Sequence, residues 1–286
     1  MIETVKCFKY LGVALYKNGN WYRTQKVIAE HSRFALHNLF ITFNQIELTA
    51  KDKCKLFDTL VGSILNYGAE IFGYHTSKSI ENIHCKFLRK LLCVQRSTHL
   101  KCLYGEVGRY PMILHRKLVI IKFWIHILKL NNDSLVKKTY NMLKSDTDLG
   151  NFNNGLNWTS NIKDILDEIG MSNLWIQHNG LDIKFAPIKQ RIIDTYTQDW
   201  YSAINISGRL MTYCKIKEEN KLEKYLSCIQ TKRFRIVLTK LRLSSHDLAI
   251  ERDRHFNVPR SERYCRNCTM QTIENEYHFL LVCPKF

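Results

Sequence analysis

Apolar residues recur at the spacing of α-helix faces through most of this 286-residue chain. The pattern predicts helices in five places: after Thr49, after Ser79, from Leu114, over residues 160–169 and from Pro187. Between the second and third helices, Gly105, Gly108 and Pro111 are expected to interrupt regular structure. The asparagine-rich residues 151–161 are expected to form a loop between subdomains. The chain is therefore predicted to be mostly α, a helical bundle with a short N-terminal strand segment.

The segment CFKYLGVAL, residues 7–15, departs from the helical pattern. It predicts one β-strand, closed by the turn signal of Asn18, Gly19 and Asn20. No neighbouring segment suggests a partner strand, and a lone strand cannot satisfy its own backbone hydrogen bonds. The strand is therefore expected to pair with something distant, or the chain begins in the middle of a domain.

The charge balance indicates an anionic partner. The sequence holds 43 Lys and Arg against 26 Asp and Glu, a formal net charge of +17. Such an excess repels itself in the folded state, which favours RNA or DNA as a partner. An anionic membrane surface or a merely soluble basic protein are the alternatives.

No segment of the sequence suggests a membrane span. The most apolar stretch, residues 118–128, is too short to cross a bilayer and contains Lys122, and the N terminus has no secretory signal. We therefore expect an intracellular protein, of the nucleus or the cytoplasm, without a membrane partner and with reduced thiols.

The segment TKRFRIVLTKLRL, residues 231–243, predicts a basic amphipathic helix. Its apolar arc has cations on both sides, and no acid lies on the helix; the arc consists of Phe234, Val237, Leu238 and Leu241. The absence of local counter-charge favours contacts with phosphates. The candidate contacts are Arg233, Arg235, Lys240, Arg242, Arg263 and Arg266. Two alternatives stay open: the cations extend over an apolar core, or the helix binds an anionic membrane or a partner protein.

The last residues of the sequence carry the spacing Cys265-x2-Cys268-x9-His278-x4-Cys283. Two thiols separated by two residues can face one ion, and three thiolates with an imidazole favour zinc. A full set of four ligands makes the site structural, because no position stays open for a substrate water. The apolar FLLV segment between the last two ligands suggests a short buried turn beneath the ion. Thiols buried without a metal, or a redox-active pair, are the alternatives.

Seven further cysteines lack ligand-like spacing. They are expected to be small buried apolar residues: Cys7, Cys54, Cys85, Cys93, Cys102, Cys214 and Cys228.

Five segments, in this order, resemble the C-terminal third of reverse transcriptases from non-LTR retrotransposons, the jockey-like LINE elements. They are FKYLGVALYKNGNW, SILNYGAEIFGY, LYGEVGRYP, LTKLRLSSHDLAIERDRHFNVPRSERYCRNC and ENEYHFLLVCP. The resemblance implies a strand that follows the polymerase palm in residues 1–22, a thumb-like helical region in 23–150 and a helical connector in 151–230. It further implies a basic helix and a Cys-Cys-His-Cys zinc knuckle in residues 231–286, with Cys265, Cys268, His278 and Cys283 as ligands.

The chain departs from that family in its catalytic residues. Polymerisation needs paired carboxylates for two metal ions, and the sequence contains no Asp-Asp pair; the family's endonucleases are missing too. The expected function is a nucleic-acid-binding fragment that is not an enzyme by itself. A zinc-stabilised scaffold for protein interactions and a non-functional retrotransposon relic are the alternatives.

Overall fold

A computed structural model describes residues 5–150, 157–177 and 182–286, and the fold is mostly helical, as predicted. The helices of the first half are α1 (Tyr22–Gln45), α2 (Ala50–Phe57), α3 (Ser63–Leu65), α4 (Ala69–Phe72), α5 (Lys78–Leu92), α6 (Leu100–Val107) and α7 (Met112–Leu128). Those of the second half are α8 (Leu135–Asp148), α9 (Trp158–Glu168), α10 (Asn173–Gln177), α11 (Phe185–Ile206), α12 (Met211–Ile216), α13 (Tyr225–Cys228), α14 (Lys232–Arg242) and α15 (Ala249–Arg252). Within the described ranges, no helix has the length and apolar character needed to cross a membrane.

The N-terminal segment is a β-hairpin, so the prediction of a single strand with a distant partner was wrong. Strand β1 (Cys7–Tyr10) pairs antiparallel with β2 (Val13–Tyr16). Leu11 and Gly12 connect the strands with φ angles of 46° and 82°, and two-residue hairpin turns with both φ values positive match the twist of the strands. The backbone groups on one edge of β1 therefore find their partners within the same short segment.

Two predictions about helix breaks also need correction. Helix α6 runs through Gly105 and ends at Gly108, where φ is 65°. A Cβ atom on Gly105 would lie 2.5 Å from Trp200 and 2.7 Å from the hydroxyl of Tyr213, so glycine serves close packing there, not a break. Of the expected loop at residues 151–161, residues 151–156 lie outside the described ranges, and the remainder includes the start of α9 at Trp158.

Helix N-termini lie close to their predicted positions. Helix α2 begins directly after Thr49. The cap of α5 is Ser77, two residues before the predicted Ser79, because the Ser77 hydroxyl accepts from the backbone N–H of Ile80 at 3.4 Å. Helix α9 begins after Asn157, whose side chain accepts from the N–H of Thr159 at 3.0 Å.

The chain divides into two compact units. The first consists of Met1–Leu48, Asp52–His84 and Tyr110–Asp199, and the second of Thr49–Lys51, Cys85–Arg109 and Trp200–Phe286. The four regions inferred from the resemblance are a different division and stay a prediction.

The first unit has an apolar core of aliphatic and tryptophan side chains. Within it Ile120, Ile162 and Trp124 are fully buried, and the Trp124 indole donates to the Tyr140 hydroxyl at 3.0 Å. The helical stripe predicted from Leu114 contributes directly, since Leu114 itself is buried in this core. Burial of such side chains is the main source of stability for a helical unit.

The second unit contains a buried group of charged side chains. The Arg242 guanidinium donates to Glu106 at 2.6 Å and lies 3.1 Å from Glu223, while Lys217 pairs with the other side of Glu223. Burial alone would lower the pKa of Arg242, but these two carboxylates outweigh it and raise the pKa above its ordinary value. Glu106 is fully buried, so this ionic group depends on its members being paired.

Candidate metal centre

Four side chains of the second unit converge on one point. The three sulfurs and one ring nitrogen of Cys265, Cys268, His278 and Cys283 all lie within 4.8 Å of one another. We call this group the Cys/His cluster. In a tetrahedral zinc site, bonds of about 2.3 Å to sulfur and 2.0–2.1 Å to nitrogen place donors roughly 3.5–3.8 Å apart. The cluster could therefore hold a metal ion after small movements of its side chains.

A small antiparallel contact positions the first two cysteines. Tyr264 and Ile273 form an isolated β-bridge, and the backbone N–H of Cys265 donates to the carbonyl of Thr272 at 2.9 Å. The backbone N–H of Asn267 points at the Cys265 sulfur, 3.4 Å away. The loop between the two sides of the bridge thereby turns both thiols toward the same point.

A single helical turn positions the last two ligands. Residues His278–Val282 form one π-helical turn, and the N–H of Cys283 donates back to the carbonyl of His278 at 2.8 Å. The Asn275 side chain begins this turn by accepting from the N–H of His278 at 2.8 Å. A spacing of four residues between histidine and cysteine therefore brings both side chains to one side of the turn.

The orientation of His278 suits metal binding through one particular ring nitrogen. Its Nε2 lies 3.4 Å from the Cys268 sulfur, inside the cluster. Its Nδ1 lies 3.0 Å from the Thr272 hydroxyl, outside it. Ligating histidines commonly use the second nitrogen for such a hydrogen bond, which holds the ring and its tautomer.

Two buried glutamates tie the cluster to the rest of the unit. Glu274 accepts from the backbone N–H of Ala249 at 2.6 Å and from the Asn267 amide at 2.9 Å. Glu276 accepts from His246 at 2.9 Å and from Thr212 at 3.0 Å. Burial would raise the pKa of Glu276, but its hydrogen bonds from His246 and Thr212 and the electrostatic influence of His246 outweigh burial and lower the pKa.

The segment between the last two ligands is exposed, so the prediction of a buried FLLV turn was wrong. The exposed fractions of Leu280 and Leu281 are 56% and 73%. Within residues 263–286 the buried side chains are Cys265, Glu274, Glu276, His278 and Cys283. The interior of this segment therefore consists of potential ligands and carboxylates, without an aliphatic core of its own.

The other cysteines are mostly not core residues, which corrects the prediction made for them. Cys85 and Cys102 are buried, Cys54, Cys93 and Cys214 are half-buried, and Cys7 and Cys228 are exposed. Exposed or half-buried thiols contribute little apolar burial. They also lack the convergence that distinguishes the Cys/His cluster.

The predicted basic helix is present as α14, but its apolar arc does not face the core. Phe234 and Val237 are 66% and 59% exposed, whereas Thr239 is buried and donates to the carbonyl of Arg235. The inner side of the helix is thus centred on Thr239 and Arg242. A helix that packs through polar and ionic contacts can leave its apolar residues in solvent.

The six candidate phosphate contacts differ in what surrounds them. Arg242 lies in the buried ionic group, so its counter-charges come from Glu106 and Glu223, which are distant in sequence. Arg263 donates to the carbonyls of Val258 and Ile250, and Arg235 to that of Ile229. Arg242 and Arg263 therefore have structural roles already.

The other three candidates are more accessible. Arg233 is exposed and Lys240 half-buried on α14. The Arg266 side chain is 71% exposed and lies 3.5 Å from Asp253. Arg233 and Lys240 can therefore reach an anion directly, whereas Arg266 would share its charge with the buried Asp253.

Sequence reasoning missed the polar residues that orient the ligands. Thr272, Glu274 and Asn275 lie between the second and third ligands. A polar run at that position was a possible signal, because ligating histidines usually hydrogen-bond through their second nitrogen.

No protein-family model matches the chain, and comparisons with curated proteins and with solved structures give no match either. The resemblance to non-LTR reverse transcriptases therefore stays a prediction.

Proposed function

We propose that this chain is a nucleic-acid-binding module derived from the C-terminal part of a non-LTR retrotransposon reverse transcriptase, with no polymerase activity of its own. The observation that carries the proposal is the way the Cys/His cluster is attached to the basic region. Glu276, two residues before a ligand, accepts from Ser244 at 3.3 Å and from His246 at 2.9 Å, and both residues follow α14 directly. A metal in the cluster would hold residues 263–286 against this region.

The proposed metal is zinc in a structural role. Three soft thiolates and one imidazole suit zinc better than calcium or magnesium, which prefer oxygen ligands. Four protein donors complete a tetrahedral shell and leave no position for a reacting water. Zinc would therefore stabilise the fold of the C-terminal residues and would not carry out a reaction.

A second basic surface, in the first unit, also supports binding of nucleic acid. A concavity of about 590 Å³ is lined by Lys6, Lys17 and Arg23 together with Tyr16 and Tyr22, and its described lining contains no acid. The Arg23 guanidinium lies 5.4 Å from the centre of the Tyr16 ring. Cations interleaved with aromatic rings suit single-stranded nucleic acid, since phosphates and bases can be contacted together.

The experiment is the salt dependence of binding to single-stranded RNA and DNA, measured by fluorescence anisotropy. The logarithm of affinity should fall linearly with the logarithm of salt concentration, with a slope of about −0.7 to −0.9 per phosphate contact. The double substitution of Arg233→Gln with Lys240→Gln should make the slope shallower by about two such contacts. Lys138→Gln, in the exposed part of α8, is a matched single-charge control and should leave the slope nearly unchanged. Affinity that does not change between low and moderate salt would refute nucleic-acid binding.

A protein-interaction scaffold is the second candidate, and exposed apolar residues next to the Cys/His cluster favour it. Tyr277 and Leu281 are 65% and 73% exposed. If this surface binds a protein, Leu281→Ser should abolish that interaction in nuclease-treated samples and leave binding to RNA and DNA unchanged. Loss of both together would instead assign the surface to nucleic acid.

The proposed parentage has an independent test in the DNA upstream of the first codon. An in-frame Asp-Asp polymerase motif there would support descent from a reverse transcriptase. A bounded exon without such a motif would count against it and would favour an independent protein.

A further inference from the structure

A second site lies in the second unit, in a cavity that none of the sequence motifs indicated. The cavity has a volume of about 200 Å³ and is strongly basic. Its charged lining residues are Arg209, Glu251, Arg254, Arg260, Arg263 and Glu276. Four arginines against two glutamates leave a formal charge of +2 around a small cavity that is partly open to solvent.

Both carboxylates of the cavity are already engaged by protein donors. One oxygen of Glu251 accepts from Arg209 at 3.1 Å and from Arg254 at 3.2 Å. Glu276 is bound by His246 and Thr212. An anion entering the cavity would therefore meet carboxylates whose charge is locally compensated.

Two of the arginines are fixed by the backbone. Arg263 donates from all three nitrogens to the carbonyls of Val258 and Ile250, at 2.7–3.0 Å. Arg209 donates to the carbonyl of Ser97 at 2.8 Å, besides its bond to Glu251. These contacts restrict the movement of both guanidinium groups, so their positive charges stay at the cavity wall.

The other two arginines form fewer aligned hydrogen bonds with the protein. Nη2 of Arg254 is buried and lies 3.1 Å from Glu251, but it has no aligned hydrogen-bond acceptor among the described residues. Arg260 is exposed and donates only through Nη1, to the carbonyl of Gly208 at 2.5 Å. In the described part of the chain, no carboxylate lies within ion-pair distance of Arg260. Because Nη2 of Arg254 meets Glu251 as an ion pair without an aligned hydrogen bond, it can still donate to an anion that enters the cavity.

We propose that this cavity binds a terminal phosphate of a nucleic-acid strand, with Arg254 and Arg260 as its donors. A terminal phosphomonoester carries about −1.5 to −2 charges at pH 7 and three acceptor oxygens, which matches the excess of +2 better than the single charge of a backbone diester does. Arginine forks suit phosphate oxygens in particular. The net charge of the chain, +17, favours a strand end over a phosphorylated protein. This inference rests on the proposed nucleic-acid binding and deepens it.

The test compares two single-stranded oligonucleotides that differ only in a 5′-phosphate or a 5′-hydroxyl, with a second pair that differs at the 3′ end. The full chain should bind one phosphorylated end about tenfold more tightly, the gain expected for one or two charge-assisted hydrogen bonds. Arg260→Gln and Arg254→Gln should each reduce this preference toward unity and change the affinity for the hydroxyl form little. Arg233→Gln, the matched control outside the cavity, should weaken both forms equally and keep the preference.

Inorganic phosphate should bind the full chain, detected by ³¹P NMR line broadening, and bind Arg260→Gln more weakly.

The results of this test distinguish failure of the cavity site from failure of the proposed nucleic-acid binding. Equal affinity for phosphorylated and hydroxyl ends, with normal salt dependence, would overturn the proposed phosphate site in the cavity and leave the proposed nucleic-acid binding intact. No binding of any oligonucleotide would overturn both. A phosphoserine peptide that binds more tightly than the phosphorylated oligonucleotide would overturn the assignment to a strand end. A preference that survives Arg254→Gln and Arg260→Gln together would place the phosphate elsewhere.

Discussion

The core of the first unit and residues 263–286 of the second are built from different side chains. In the first unit Ile120, Ile162 and Trp124 are fully buried among other apolar residues. In residues 263–286 the buried side chains are potential metal ligands and two glutamates, while Leu280 and Leu281 lie in solvent. The first can be stable through apolar burial alone, whereas the second has few apolar contacts to oppose its loss of conformational entropy.

A bound ion can matter more for residues 263–286 than for the core of the first unit. Where apolar burial is sparse, a bound ion can supply the missing free energy, and it then couples folding to metal concentration.

If the Cys/His cluster holds the proposed zinc, removal of that ion should have the largest effect. Cys268→Ala, or a strong chelator, should remove a contribution on the order of 10 kcal/mol from the segment that carries the cluster. Hydrogen exchange should show loss of amide protection in residues 264–286, with protection retained in α7 and α9. Cys228→Ala, at an exposed cysteine, is the control and should change neither. Full amide protection of residues 264–286 in the presence of chelator would mean that this segment does not depend on a metal for its stability.

The buried ionic group should give the next largest effect. Glu106→Gln removes one carboxylate from Arg242 and leaves a partly uncompensated buried charge, which should lower the free energy of unfolding by about 3–5 kcal/mol. Glu219→Gln, in the exposed pair of Glu219 with Lys221, is the control and should give no measurable change. Denaturant unfolding of both variants measures this free energy. Equal values for the two variants would mean that the buried ionic group contributes little to stability.

Apolar truncation should affect the two regions unequally. Ile120→Ala, in the core of the first unit, should lower the free energy of unfolding by about 2–5 kcal/mol. Leu281→Ala should change stability by less than about 0.5 kcal/mol, because the side chain is 73% exposed. A large loss for Leu281→Ala would mean that residues 263–286 have an apolar core after all.

The smallest effect should come from the orientation of His278. Thr272→Val removes the hydroxyl 3.0 Å from its Nδ1, and loss of such a contact lowers metal affinity by about 10- to 100-fold. Competition with a chromogenic chelator measures this affinity. Thr272→Ser, which retains a hydroxyl, should restore most of it; a failure of Thr272→Ser to differ from Thr272→Val would show that the hydroxyl has no such role.

Local patterns were enough to predict α2, α5, α7, α9, α11 and α14 and the four converging side chains, but they did not predict α1, the longest helix of the described chain. Helical spacing reports the buried face of long helices, and a spacing of two residues between cysteines brings both thiols to one side of a tight turn. The hairpin was missed because its turn begins at Leu11, a residue type that rarely adopts a positive φ. The residue pattern predicted extended structure, but it did not indicate where the chain turns.

Contacts between distant parts of the sequence could not be predicted in this way. The local sequence of α14 has no acid, yet Glu106 reaches Arg242 from 136 positions away. That contact lies on the buried side of the helix together with Thr239, whereas Phe234 and Val237 are exposed. The basic cavity is equally non-local, since Arg209 and Arg263 come from separate segments.

The most direct test is the metal content and coordination of the purified full-length chain. Elemental analysis should find one zinc ion per chain, and X-ray absorption should find three sulfur neighbours at about 2.3 Å and one nitrogen at about 2.0–2.1 Å. A folded chain that retains no metal after growth with zinc, or an ion surrounded by oxygen ligands, would contradict the account.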